Sequence, residues 1–160
     1  MSATGLDVFD KTLQSTHLWL DDIMTEIGPD RQVAWHVLGA VLRTLRDRLP
    51  LGLAAHLGSQ LPILIRGVYY DQWEPREKPL ELRSQDEFLE HVSQGLWNTR
   101  PVNVRDATRA VFRAIANHID AGQVRKVVDA LPGEIKVLWP SAEAPRQEQD
   151  REMETTGARR

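Results

Sequence analysis

Apolar residues fall at helical intervals along most of the first 140 positions. Val8, Phe9, Leu13, Leu20, Ile23, Met24 and Ile27 are spaced mostly by three, four and seven, which predicts a helix from Val8 to Ile27. Gly28-Pro29-Asp30 closes it and can cap the next. A second stripe, Ala34, Val37, Leu38, Val41, Leu42, Leu45 and Leu49, predicts a helix that stops before Pro50. "LGLAAHLGSQL" predicts a short third helix. Pro62 suits the first turn of a fourth, which runs to about Tyr70.

"DQWEPREKPLELR" breaks the pattern with two prolines and alternating charge, as a connector does. "SQDE" at Ser84 then reads as a capping box, with the Glu87 carboxylate reaching back to the Ser84 N–H. The helix it opens runs to about Leu96. Asn103 caps a helix over 104–119, Asp120 caps "AGQVRKVVDAL", and Pro132 opens a last turn or two to Trp139. Beyond Pro140 the chain has one Met and no other large apolar residue, too little to offset ordering entropy, so 141–160 is expected to be a disordered charged tail.

The pattern repeats. With an offset of 70, Ala40, Val41, Arg43, Gly52, Leu61, Pro62 and Ile65 fall on Ala110, Val111, Arg113, Gly122, Leu131, Pro132 and Ile135 without a gap. Leu42/Phe112, Leu45/Ile115, Leu49/Ile119, Leu57/Val127 and Val68/Leu138 agree in type. With an offset of 69, "WLDDIMTEI" falls on "FLEHVSQGL". The expectation is an all-α helical bundle of two tandem copies of a helix–helix–short helix–short helix unit. It occupies 6–140 as a single domain, with repeat one at about 7–73, a connector at 74–83 and repeat two at about 84–140.

The phrases "HVLGAVLRTLRDRLPLGLAAHLGSQLPILIRGVYYDQW" and, in the second copy, "LPGEIKVLWP" resemble the bacterial family called domain of unknown function 2267, over roughly Phe9 to Pro140. The resemblance implies a bacterial, cytosolic, all-helical protein with duplicated halves. It brings no activity, cofactor or catalytic residue.

Composition narrows the function classes. The chain is 41% hydrophobic and 27% charged with a formal charge of -3, and it lacks the basic excess of a nucleic-acid binder. Nucleic acid is therefore an unlikely partner on charge alone. There are no cysteines, which removes disulfides, thiolate nucleophiles and thiolate-bound metals. "MSATGLDVFDK" lacks the form of a signal peptide, and no apolar run is long enough to span a bilayer, so a cytoplasmic location is expected.

Candidate chemistry is sparse. Glu87/His91 and His17/Asp21 each share a helix face, but a metal needs three or four converging ligands. Ser59 near His56 lacks the strand–turn–helix frame of a nucleophile elbow. Asp21 and Asp22 are adjacent and point about 100° apart on a helix. No catalytic residue, metal site or cofactor is expected.

Two features remain. Arg105, Arg109 and Arg113 form a stripe at i, i+4 and i+8, with Arg43 the counterpart of Arg113 and Arg46 on the same side of its own helix. They could hold phosphates or a nucleic-acid backbone, or pair with nearby acids. The second feature is an asymmetry between the copies. Trp35, Leu38, Leu53, Ile63 and Leu64 stand where the second copy has Arg105, Thr108, Gln123, Gly133 and Glu134, and Tyr69, Tyr70 and Trp73 add aromatics nearby. This apolar surplus either covers the other half or binds a partner. The leading expectation is a non-catalytic interaction module that binds another protein or itself, in the latter case as a homodimer, through Trp35, Leu38, Leu53, Ile63, Leu64, Tyr70 and Trp73. The alternative is an anion binder using Arg43, Arg46, Arg105, Arg109 and Arg113.

Overall fold

The computed structural model describes residues 2–140, and the tail expected over 141–160 lies outside them. The described residues form eight helices and no strand: α1 (Asp7–Ile27), α2 (Arg31–Arg48), α3 (Leu51–Gln60), α4 (Ile63–Tyr70), α5 (Gln85–Gln94), α6 (Val104–His118), α7 (Ala121–Asp129) and α8 (Gly133–Lys136). The all-α class matches the periodicity. None of these helices is long and apolar enough to cross a membrane.

The helices start where side chains can satisfy their free N–H groups. Asp30 accepts from the N–H groups of Gln32 and Val33, Asn103 from that of Asp106, and Asp120 from that of Gln123. Ser84 also caps, but not as a full capping box. Its hydroxyl accepts from the Glu87 N–H at 3.1 Å and donates to the Glu87 carboxylate at 3.0 Å. Glu87 is thus held by the hydroxyl. The last helix is shorter than the Pro132–Trp139 stretch suggests, a single turn ending at Lys136.

α2 is the central helix. It is buried on most of its circumference from Val33 to Asp47 and packs against α1, α4, α5 and α6. α1 packs on both α2 and α6, and α5 does the same from the other half. One core results, filled by Trp19, Ile23, Leu38, Leu42, Leu45 and Ile65 from the first half and Phe88, Val111, Phe112 and Ile115 from the second. Close approach sets two glycine positions. A Cβ at Gly39 would stand 3.0 Å from Val68 of α4 and would also meet the Arg43 guanidinium; one at Gly58 would overlap the Tyr70 ring.

The ends of α2 and α4 are tied together by Arg46. Its Nη1 donates to the carbonyls of Tyr69 at 2.7 Å and Asp71 at 2.9 Å, and its Nε pairs with Asp47 at 2.9 Å. Those carbonyls lie at the C-terminal end of α4, where no helical partner remains for them. The connector is fixed to the same end of α2. The Leu80 N–H donates to the Asp47 carbonyl at 2.7 Å, and Arg48 Nε donates to the Leu82 carbonyl at 2.8 Å.

Candidate functional site

An exposed apolar surface is made by the N-terminal half of α1 and the start of α4. Phe9, Thr16 and Ile23 are seven apart, as are Leu13, Leu20 and Ile27, so one stripe runs the length of the helix. From Thr16 onward this stripe is largely buried, but Val8, Phe9 and Leu13 are exposed because no element covers them. The first turn of α4 sits beside them: the Leu64 N–H donates to the Thr12 hydroxyl at 3.0 Å. Val8, Thr12, Leu61 and Ile63 line a groove of about 310 Å³. Of the ten large apolar side chains left exposed among the described residues, five are Val8, Phe9, Leu13, Ile63 and Leu64. Apolar residues scattered singly need no account, whereas a contiguous strip does.

The chain entering α1 is held against it. The hydroxyls of Ser2 and Thr4 both donate to the Asp10 carboxylate, and these bonds hold its carboxyl below the usual carboxylate range.

The residues singled out by the repeat asymmetry divide into two sets. Ile63 and Leu64 are exposed, at 57% and 39%, and belong to the strip. Leu38 does not: it is fully buried in α2, because that helix has neighbours on most of its circumference, and it cannot touch a partner. Trp35, Leu53, Tyr70 and Trp73 are partly buried against the core. Tyr70 and Trp73 lie tilted against one another with ring centroids 5.5 Å apart and planes at 37°, and the Tyr70 hydroxyl donates to the Ala55 carbonyl at 3.0 Å.

The arginines divide as well. Arg46 is 4% exposed and spent on backbone carbonyls and Asp47, so it leaves the candidate stripe. Arg43 turns back along α2, its Nε donating to the Gly39 carbonyl at 3.0 Å. Arg113 pairs with Glu26 of α1. Arg105 and Arg109 are exposed, and Arg109 shares a groove with Lys136.

No group of three or more potential metal ligands converges among the described residues. The Ser59 hydroxyl donates to the His56 carbonyl at 2.6 Å, so its proton is directed to the backbone and not to an imidazole. His118 meets Asp22 at 2.7 Å and stacks on Trp19, joining α6 to α1. His91 lines a cleft of about 380 Å³ with Arg43, Asp47, Gln72 and the highly exposed Trp97. Its Nε2 is buried without a partner. Burial pushes the His91 pKa below its usual value, Asp47 opposing the shift and Lys78 adding to it. The unfolded chain binds the proton more readily, so stability is retained above the ordinary histidine pKa of about 6.5 and falls as pH drops through it. Melting temperature is expected to decline between pH 7.5 and 5.5. His91→Gln should shrink that decline, and an unchanged slope would assign it to other groups.

Two comparisons place this geometry. A protein-family model described as an uncharacterized conserved protein (DUF2267) matches residues 16–138. The chain belongs to the DUF2267 family. A search of curated proteins found no match. The DUF2267 match begins at Thr16, where the α1 stripe passes under the bundle, so Val8, Phe9 and Leu13 precede the matched region while Ile63 and Leu64 lie inside it.

Sequence reading missed α1's part in the strip, since Val8, Phe9 and Leu13 carry the spacing of core positions. A signal was present in the 69-residue offset. It sets the start of α5, Gln85, opposite Thr16, so the residues of α1 before Thr16 fall opposite the connector and have no helical counterpart.

Proposed function

We propose that this DUF2267 chain is a non-catalytic helical interaction module that binds protein through the apolar surface of its first half. The observation that carries the reading is the grouping of exposed Val8, Phe9 and Leu13 in the first turns of α1 with exposed Ile63 and Leu64 at the start of α4, the two elements meeting at Val8 and Thr12. Large apolar side chains grouped on a rigid helical face and left in water are what a partner would cover. The anion-binding alternative has less support, because Arg46 is buried on backbone carbonyls and the exposed Arg113 is paired with Glu26, which leaves Arg105 and Arg109 as the exposed arginines of the stripe with no ion pair among the described residues.

The module is further read as two copies of one unit. Two facts support this. α3 and α7, and likewise α4 and α8, begin 70 residues apart. Much of the packing also pairs up on exchange of the halves: α1 on α6 matches α5 on α2, α1 on α4 matches α5 on α8, and α2 on α6 and α3 on α7 map onto themselves, whereas the close packing of α2 on α4 is not matched by α6 on the single-turn α8.

The binding reading is tested with a photo-reactive residue in place of Leu64, activated in cells. A discrete adduct, identified by mass spectrometry, is expected at that position and not when the probe replaces Leu18 on the opposite side of α1. Ile63→Asp should abolish it without changing the melting temperature, since Ile63 is more than half exposed. Absence of any adduct, or an adduct indifferent to Ile63→Asp, would sink the interaction reading.

A further inference from the structure

The strip leaves open which protein covers it. We propose that a second copy of this chain does, by an isologous contact in which the N-terminal half of α1 and the start of α4 face their own equivalents across a two-fold axis. The inference rests on the interaction reading above and names its partner.

Three observations select a second copy. The first concerns the rest of the chain. Apart from Met1, the residues outside the described structure are 141–160, whose only large apolar side chain is Met153 among nine charged residues. That segment lacks the apolar surface to cover Phe9, Leu13 and Ile63. The second is self-complementarity. An isologous interface sets one patch against itself, so any charge inside it meets its own sign near the axis. Leu6, Val8, Phe9, Leu13, Ile63 and Leu64 carry none; the cation lining the groove between them, Lys11, shares the first two turns of α1 with Asp7 and Asp10, so opposite charges are available to it across the axis. The third is area. Each of the six is between 39% and 57% exposed. Six such side chains offer on the order of 500 Å² per copy and about 1,000 Å² for the pair, the lower edge of a specific interface. A reversible, concentration-dependent dimer follows, not a permanent one.

The extension of α1 is what makes the contact possible. If α1 began at Thr16, where the family match starts, Ile63 and Leu64 would stand alone. With the extra turns, exposed apolar residues of α1 stand beside the start of α4 over about two helical turns and can lie against their twins.

The test uses the full-length chain, whose lack of cysteine makes single-site cross-linking clean. Sedimentation velocity is expected to show the average mass rising from monomer toward dimer between about 1 and 500 µM. Phe9→Glu should hold it at monomer throughout with an unchanged melting temperature. Under mild oxidation at 100 µM, Phe9→Cys should form a disulfide-linked dimer at least fivefold faster than Leu18→Cys, whose side chain is equally exposed on the opposite side of α1. A wild-type chain that stays monomeric at 500 µM overturns the proposal, as does a dimer that survives Phe9→Glu or cross-links equally through position 18. The two readings fail separately. A monomer in solution whose Leu64 probe captures a different protein in cells removes the second copy and leaves the interaction module standing. A monomer with no adduct removes both.

Discussion

Arg46→Ala is expected to lower stability by on the order of 3–5 kcal/mol, the range seen when one member of a buried charged pair is removed. Such a loss would take roughly 10–15 °C from the melting temperature of a chain this size. The guanidinium has three tasks at once. It pairs with Asp47 and donates to the carbonyls of Tyr69 and Asp71, which end α4. Its removal leaves those carbonyls without a donor in a largely buried place, and an unmade bond there costs more than a made one contributes. Arg46→Lys should recover only part of the loss, because a single ammonium lacks the planar fork that reaches all three acceptors. Hydrogen exchange separates this account from general destabilisation. The amides of Asp71 and Trp73, bonded to Gly67 and Tyr70, should lose protection first and well beyond the global change. Equal loss across α2 and α4 would mean that Arg46 is not the clamp between them.

Arg46 also shows where the sequence stops being legible. Helical spacing sets Arg46 near Arg43 on α2, as it sets Arg105, Arg109 and Arg113 in line on α6. What periodicity does not carry is the identity of the neighbour. The acceptors on Tyr69 and Asp71 lie 23 and 25 residues away and are backbone atoms, which leave no trace in side-chain pattern. The same limit explains Leu38. A stripe marks which face of a helix is apolar, but only the packing shows that α2 has neighbours on nearly every side. Conversely, Val8, Phe9 and Leu13 carry a core-like pattern and are exposed because α1 is longer than the elements beside it. Local chemistry was easier to read. Pro50 and Pro62 mark helix boundaries, and Asp30, Ser84, Asn103 and Asp120 each cap the helix that follows, since these act within three or four residues of themselves.

Phe112→Ala should cost about as much as the loss of Arg46, on the order of 3–5 kcal/mol, by a different route. The ring is fully buried at the centre of the second half. It stacks on Trp139 with centroids 4.2 Å apart and planes 11° apart, and it leans against Phe88 of α5 at 5.9 Å. One side chain of α6 thus holds both the opening helix of that half and the residue just beyond its final turn. α8 is a single turn, too short to persist without tertiary contacts, and the Trp139 stack is one of the contacts that hold it in place. Truncation opens a cavity that the surrounding core can fill only in part, so the transfer and cavity terms add. The local result should exceed the global one again: amides of Ile135, Leu138 and Trp139 are expected to exchange sooner than those of α2. A double-mutant cycle between Phe112→Leu and Trp139→Leu should return a coupling of about 0.5–1.5 kcal/mol, the worth of an aromatic pair beyond its buried area. A coupling near zero would mean that the two rings are neighbours by crowding alone, and that the end of the chain is held by Ile135 and Leu138.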